Sequence, residues 1–126
     1  RLTEKELKRA GMDYWQDLDV TRYINWEDFL SQNKDAKIYM ATTKGKHVYS
    51  QVSYEPDCYL LFGKESAGIP EEILVNYPEN CVRIPMVGET RSLNLANSVS
   101  IMLYEALRQN EFRDMKLEGE LHRLRW

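Results

Sequence analysis

Three short apolar, β-prone runs, each cut off by a polar, glycine-bearing or proline-bearing segment, set the narrowest limits on what this chain can become. They are Ile38-Tyr39-Met40-Ala41-Thr42, Cys58-Tyr59-Leu60-Leu61-Phe62 and Val82-Arg83-Ile84. The first two are apolar at successive rather than alternate positions, as in strands of a parallel sheet covered on both faces. Helical segments lie between and after the runs. Pro70 at a first-turn position, followed by Glu71 and Glu72, opens a helix reaching about Asn76. Leu95 to Gln109 gives the strongest helical pattern, with Leu95, Val99, Met102, Leu103 and Ala106 forming one broad apolar stripe. Strands alternating with helices specify an α/β layered domain, a mainly parallel sheet flanked by helices. At 126 residues the chain suits a single domain, 1–126.

The N-terminal third is less regular. Thr3-x-x-Glu6 forms a capping-box pattern for a short charged helix to about Ala10, stopped by Gly11. Met12-Asp13-Tyr14-Trp15 reads as an aromatic turn, and Leu18 to Tyr23 alternates as a short strand. Asn25 caps a helix over Trp26 to Gln32, with Trp26, Phe29 and Leu30 at helical spacing. Because Arg1 is not a methionine and a helix opens at once, the chain reads as starting mid-domain. The charged tail from Asn110 is a helix, a docked arm or a frayed end.

Composition narrows the function classes. Hydrophobic residues make up 43% and charged residues 29%, ordinary for a globular domain. No run reaches the roughly 18 apolar residues of a membrane helix, and no leader pattern is evident, so the expectation is a cytoplasmic protein with no membrane partner. Cys58 and Cys81 sit in apolar runs without metal-ligand spacing, which points to buried thiols. His47 and His122 are too isolated to suggest a catalytic pair, and no metal site is expected. The net charge of −3 argues mildly against a large basic surface. Basic residues nevertheless cluster at Arg1, Lys5, Lys8 and Arg9, at Lys44 and Lys46, and at Arg83 and Arg91.

A polar segment follows each of the three strands, and ligands of open α/β sheets gather outside the strands' carboxyl ends. The segments are Thr42-Thr43-Lys44-Gly45, Gly63 to Pro70, and Pro85 to Asn94. Gly63 and Gly68 permit a close backbone approach to a ligand, or simply turn a loop. Glu65 between them could hold a ligand hydroxyl or amine, or cap the helix that begins near Pro70. Arg91, Ser92 and Asn94 arrive just before the long helix, where backbone N–H groups converge; Ser92 or Asn94 could equally be its cap. Neither a dinucleotide fingerprint nor a phosphate-binding P-loop is present. What remains is a site of backbone groups, one carboxylate, one arginine and small polar side chains, suited to a reaction driven by positioning.

Leu61 to Pro70, then Ile84-Pro85-Met86, then Arg91-Ser92-Leu93-Asn94-Leu95-Ala96-Asn97 together resemble the second and third motifs of the SPOUT RNA methyltransferases. Within that family the likeness is to enzymes that methylate ribose 2′-oxygens. It is nearest to the subgroup acting on cytidine or uridine at the wobble position of leucine tRNAs, whose segments Arg9 to Trp15 and Thr42 to Gly45 also resemble. The resemblance implies a deep C-terminal trefoil knot, a homodimer, and S-adenosylmethionine as methyl donor with S-adenosylhomocysteine as product. It implies cofactor binding at Ala41, Thr42, Gly63, Glu65, Gly68, Ile84, Met86, Ser92 and Leu93. Catalytic roles would fall to Asn94, Ser92 and Glu65, and RNA contacts to Arg91, Lys44 and Lys46. Lys64 and Ala96 are small departures from the family pattern. A larger one is that the family's first strand-helix unit, with an asparagine and an arginine implicated in catalysis, has no counterpart here.

The expected reaction is transfer of a methyl group to a ribose 2′-hydroxyl of tRNA. The alternative is a non-catalytic RNA-binding or assembly module that keeps the fold, which the missing first motif favours for this chain and the intact second and third motifs oppose for the natural protein.

Overall fold

The computed structural model describes residues 20–64, 67–88 and 94–126. In chain order the elements are α1 (Trp26–Gln32), β1 (Ile38–Ala41), β2 (His47–Val48), a 3-10 turn (Tyr49–Gln51), β3 (Tyr59–Leu61), α2 (Glu71–Leu74), β4 (Cys81–Arg83) and α3 (Leu95–Gln109). The four strands form one sheet in the order β2-β4-β1-β3. All pairings are parallel, with Ile38 beside Tyr59, Met40 beside Cys81 and His47 beside Val82.

β1 lies between two neighbours, and its three leading residues are buried. Successive strand side chains point to opposite faces, so Ile38 and Met40 join one apolar layer while Tyr39 joins the other. The first layer includes Leu74 of α2 and Cys81, with Trp26, Phe29 and Leu30 of α1 packed against it. The second joins Tyr39 and Val82 to Met102 and Ala106 of α3 and to Tyr54. This is the two-sided cover that the apolar run predicted.

Local chemistry explains the helix ends. Asn25 Oδ1 accepts the Asp28 N–H at 2.8 Å, and Asp28 returns a bond by accepting the Ile24 N–H at 3.0 Å. This reciprocal cap fixes the start of α1 where the sequence places it. That backbone hydrogen bond also holds the Asp28 carboxyl below its ordinary pKa. Asn94 caps α3 by accepting the Asn97 N–H at 2.8 Å. Past its C-terminus, Glu111, Phe112 and Asp114 adopt positive φ. The chain therefore leaves the helix axis at once, and the tail contains no helix.

Several expectations need correction. Val20 to Tyr23 form no strand; residues 18 and 19 lie outside the described set, as do the helix at 3–10 and the turn at 12–15. β4 spans Cys81–Arg83, one residue earlier than expected. Pro70 caps α2 from outside with extended ψ 141°, and the helix is only Glu71–Leu74, although turn hydrogen bonds continue to Asn76. β3 lies at the sheet's edge with Tyr59 40% exposed, so it is not covered throughout. β2 was missed, since two residues are too few to show alternation.

Both thiols sit in shielded places: Cys81 is buried, and Cys58 is half-buried. Burial pushes both pKa values up, away from the reactive thiolate.

Candidate functional site

A cavity of about 260 Å³ opens at the carboxyl ends of the strands. Its walls come from three separate stretches of chain. Ala41 ends β1 and Thr42, Thr43 and Lys44 follow it; Phe62, Gly63, Lys64, Ala67, Gly68 and Ile69 follow β3; Ile84 and Met86 follow β4. Leu95 and Ser98 of α3's first turn close the remaining side.

Parallel pairing brings these stretches together, because strands running the same way release their loops at the same rim. The ladder continues beyond β1, with the Thr42 N–H donating to the Val82 carbonyl at 2.9 Å. The backbone then turns: Gly45 N–H donates to Thr42 O at 3.2 Å, and Thr42 Oγ1 accepts the Lys44 N–H at 3.1 Å. Arg83, at the end of β4, donates from Nη1 to the Thr43 carbonyl at 3.0 Å. The loop is thus pinned from within and from the neighbouring strand.

The second wall is pinched onto itself. Lys64 and Gly68 form an isolated antiparallel bridge, with the Gly68 N–H on the Lys64 carbonyl at 2.8 Å. A Cβ at Gly63 would collide with the backbone of Gly68 and Ile69. Gly68 itself has φ +71°, a left-handed conformation that side chains disfavour. Both glycines therefore serve the loop's own shape. Across the rim, Lys44 Nζ meets Glu71 Oε2 at 2.9 Å, joining the loop after β1 to the start of α2. The Lys44 partner holds the Glu71 carboxyl below the ordinary glutamate range.

Of the residues singled out from sequence, Ala41, Thr42, Lys44, Gly63, Gly68, Ile84 and Met86 share this cavity. Asn94 stands next to it as the α3 cap, and Lys46 lies outside the lining on an exposed bend. Glu65, Arg91, Ser92 and Leu93 lie outside the described residues. Sequence reasoning missed Ser98 and Ile69. Ser98 shares Leu95's helix face three residues on, which was the available signal. Among the described residues no cluster of His, Cys, Asp and Glu could hold a metal ion.

The lining combines backbone groups at three strand ends with the apolar side chains Ile69, Ile84, Met86 and Leu95. Such a mixture suits a compact ligand with a flat apolar part and several hydrogen-bonding groups. A parallel sheet with this pocket at its carboxyl rim is an α/β architecture that places a ligand site outside the strand ends.

The chain belongs to the SpoU methylase family: the sequence profile described as the SpoU rRNA Methylase family matches residues 1–104. A relative from Escherichia coli strain K12, the tRNA (cytidine(34)-2'-O)-methyltransferase, is 45% identical over 107 residues, covering 84% of this chain and 68% of its own length. A Listeria monocytogenes relative is 44% identical over 112 residues, covering 86% of this chain and 66% of its own length. The chain thus spans about two thirds of the curated relatives it matches. A solved structure concerned with 2-OH methylation of C/U34 on tRNA superposes with a TM-score of 0.76 at 38% identity, covering 90% of this chain and 74% of the other. An AdoMet-bound rRNA methyltransferase from Sinorhizobium meliloti gives a TM-score of 0.68 at 34% identity, over 82% of this chain and 40% of its own.

Proposed function

We propose that the full-length protein transfers a methyl group from S-adenosylmethionine to a ribose 2′-hydroxyl of tRNA, at the wobble nucleotide of the anticodon loop. The observation that carries this reading is the meeting of three post-strand segments around one cavity in a chain of this family. The Escherichia coli relative's named activity supports the choice of nucleotide.

The cofactor would be held by backbone at Ala41, Gly63 and Ile84 and by Thr42 and Gly68, with Met86, Ser92 and Leu93 closing around its adenine and methionine parts. Ile69 and Leu95 add apolar surface to the same pocket. When bound, S-adenosylmethionine supplies a methyl carbon already activated by a positively charged sulfur. The protein's task is then alignment, which supplies roughly 7–11 kcal/mol in the best intramolecular cases. We assign Asn94 and Ser92 to orienting cofactor and ribose, and Glu65 to the same catalytic group. Lys44, Lys46 and Arg91 meet the RNA backbone.

The same reading includes a single domain over residues 1–126. It includes a C-terminal trefoil knot, action in the cytoplasm where tRNA is modified, and a homodimer. For the dimer, Leu103, Tyr104 and Trp126 offer exposed apolar surface. Among the described residues no helix is long and apolar enough to cross a membrane.

The test is S-adenosylhomocysteine binding by calorimetry, paired with radiolabelled methyl transfer to unfractionated tRNA by the full-length protein. Binding with transfer supports the reading. RNA binding without either leaves the non-catalytic module instead.

A further inference from the structure

Lys44 occupies an unusual position for a residue expected to meet RNA: its ammonium already has a carboxylate partner. Its Nζ lies 2.9 Å from Glu71 Oε2, tying a residue of the cavity lining to the start of α2, with both side chains more than half exposed. Beneath it the backbone is fixed by three hydrogen bonds, to Thr42 Oγ1, to the Thr42 carbonyl and from Arg83 to the Thr43 carbonyl. Loop and strand are anchored, so the lysine side chain is the part free to change partners. An exposed ion pair is weakly held, and an ammonium binds a phosphate oxygen as readily as a carboxylate.

We propose that Glu71 acts as a built-in surrogate for an RNA phosphate, holding Lys44 at the pocket rim until substrate displaces it. This rests on the RNA-directed reading above. Glu71 lowers the affinity of the free protein for polyanions and makes engagement of Lys44 conditional on RNA reaching the pocket mouth. Arrival of a phosphate breaks the clasp between the loop after β1 and the start of α2. The depressed Glu71 pKa accords with a fully charged pair at neutral pH.

The experiment compares full-length wild type, Glu71→Gln, Glu72→Gln, Lys44→Gln and the double variant Glu71→Gln/Lys44→Gln, titrated with unfractionated tRNA over a range of salt concentrations. Glu72 is the neighbouring exposed carboxylate, so its variant removes the same charge without touching the pair. Glu71→Gln is expected to bind roughly two- to fivefold more tightly than wild type. Its slope of log affinity against log salt should match wild type, because Lys44 reaches the same phosphate in both proteins, whereas Lys44→Gln should flatten the slope by about 0.7–0.9, the value of one counterion no longer released. Glu72→Gln should show a much smaller gain, and the gain should vanish in the Lys44→Gln background. Equal effects of Glu71→Gln and Glu72→Gln, or a gain that survives without Lys44, overturn the proposal. Wild type that binds S-adenosylhomocysteine but no tRNA overturns this inference and leaves the cofactor assignment standing. Wild type that binds neither overturns the functional reading with it.

Discussion

Asn94 Oδ1 accepts the Asn97 N–H, so replacing this asparagine with alanine would remove a helix cap along with any role in orienting ribose. The two are separated by charge. Aspartate caps a helix about as well as asparagine, whereas alanine costs about 1 kcal/mol. Asn94→Ala should therefore lower thermal stability by that amount. Asn94→Asp should keep stability and, if the amide orients substrate, lose methyl transfer; full activity in Asn94→Asp removes the amide from the mechanism. At Gly63 steric conflict is the issue. Gly63→Ala forces a methyl into the Gly68 and Ile69 backbone, which must shift a cavity wall. S-adenosylhomocysteine affinity should fall by roughly tenfold or more, about 1.4 kcal/mol, as read by calorimetry.

Among the elements, α3 is tied to the rest of the molecule by polar as well as apolar bonds. Gln109 accepts the Tyr54 N–H at 2.9 Å through Oε1, and donates from Nε2 to Val52 O at 2.9 Å and to Glu105 at 2.7 Å. Gln109→Leu should cost about 1–3 kcal/mol by stranding those backbone groups, measured by denaturant unfolding. Glu105 also receives bonds from Arg108 Nε and Nη2, which hold its pKa below the ordinary value. A carboxylate whose folded pKa is depressed contributes stability at neutral pH and loses it as pH falls through that lowered value. The stability gap between wild type and Glu105→Gln should therefore be widest near neutrality and close in acid, as thermal scans across pH would show.

These elements differ in how openly the sequence displayed them, for physical reasons. α1 and α3 announced their starts, because Asn25 and Asn94 are side chains that cap, and α3 its length as well, through a long apolar stripe. β1 was plain because a strand buried on both faces is apolar throughout. β2 escaped because His47 and Val48 join the sheet only through backbone pairing with β4. In the site, Thr42 and Gly63 could be read from their places after strands, whereas Ile84, expected inside a strand, was implied by the family resemblance alone. The Lys44–Glu71 pair could not be read, since it depends on where α2 comes to rest against the loop after β1.

At the scale of the whole molecule, two apolar layers share one sheet, and alternate residues of β1 anchor each. Met102 is fully buried in the layer under α3, alongside Tyr39 and Val82. Met102→Ala should cost about 2–5 kcal/mol. Because α3 supplies Leu95 and Ser98 to the pocket, ligand affinity should decline in the same variant. The check is a thermal scan with and without S-adenosylhomocysteine, in which the ligand-induced rise in Tm shrinks as well as the baseline.

The central place of β1 has a further consequence. It is hydrogen-bonded on both sides, in one register with β3 and in another with β4. Sliding it by a single step would turn Tyr39 toward α1 and α2, and would expel Ile38 and Met40 from the layer they fill. Thr42 and Lys44 would be carried to the wrong height on the rim. The hollow thus has no separate scaffold; its outline is cast by interior side chains that no ligand touches, so a defect deep in the fold is felt first as a misfit at the mouth.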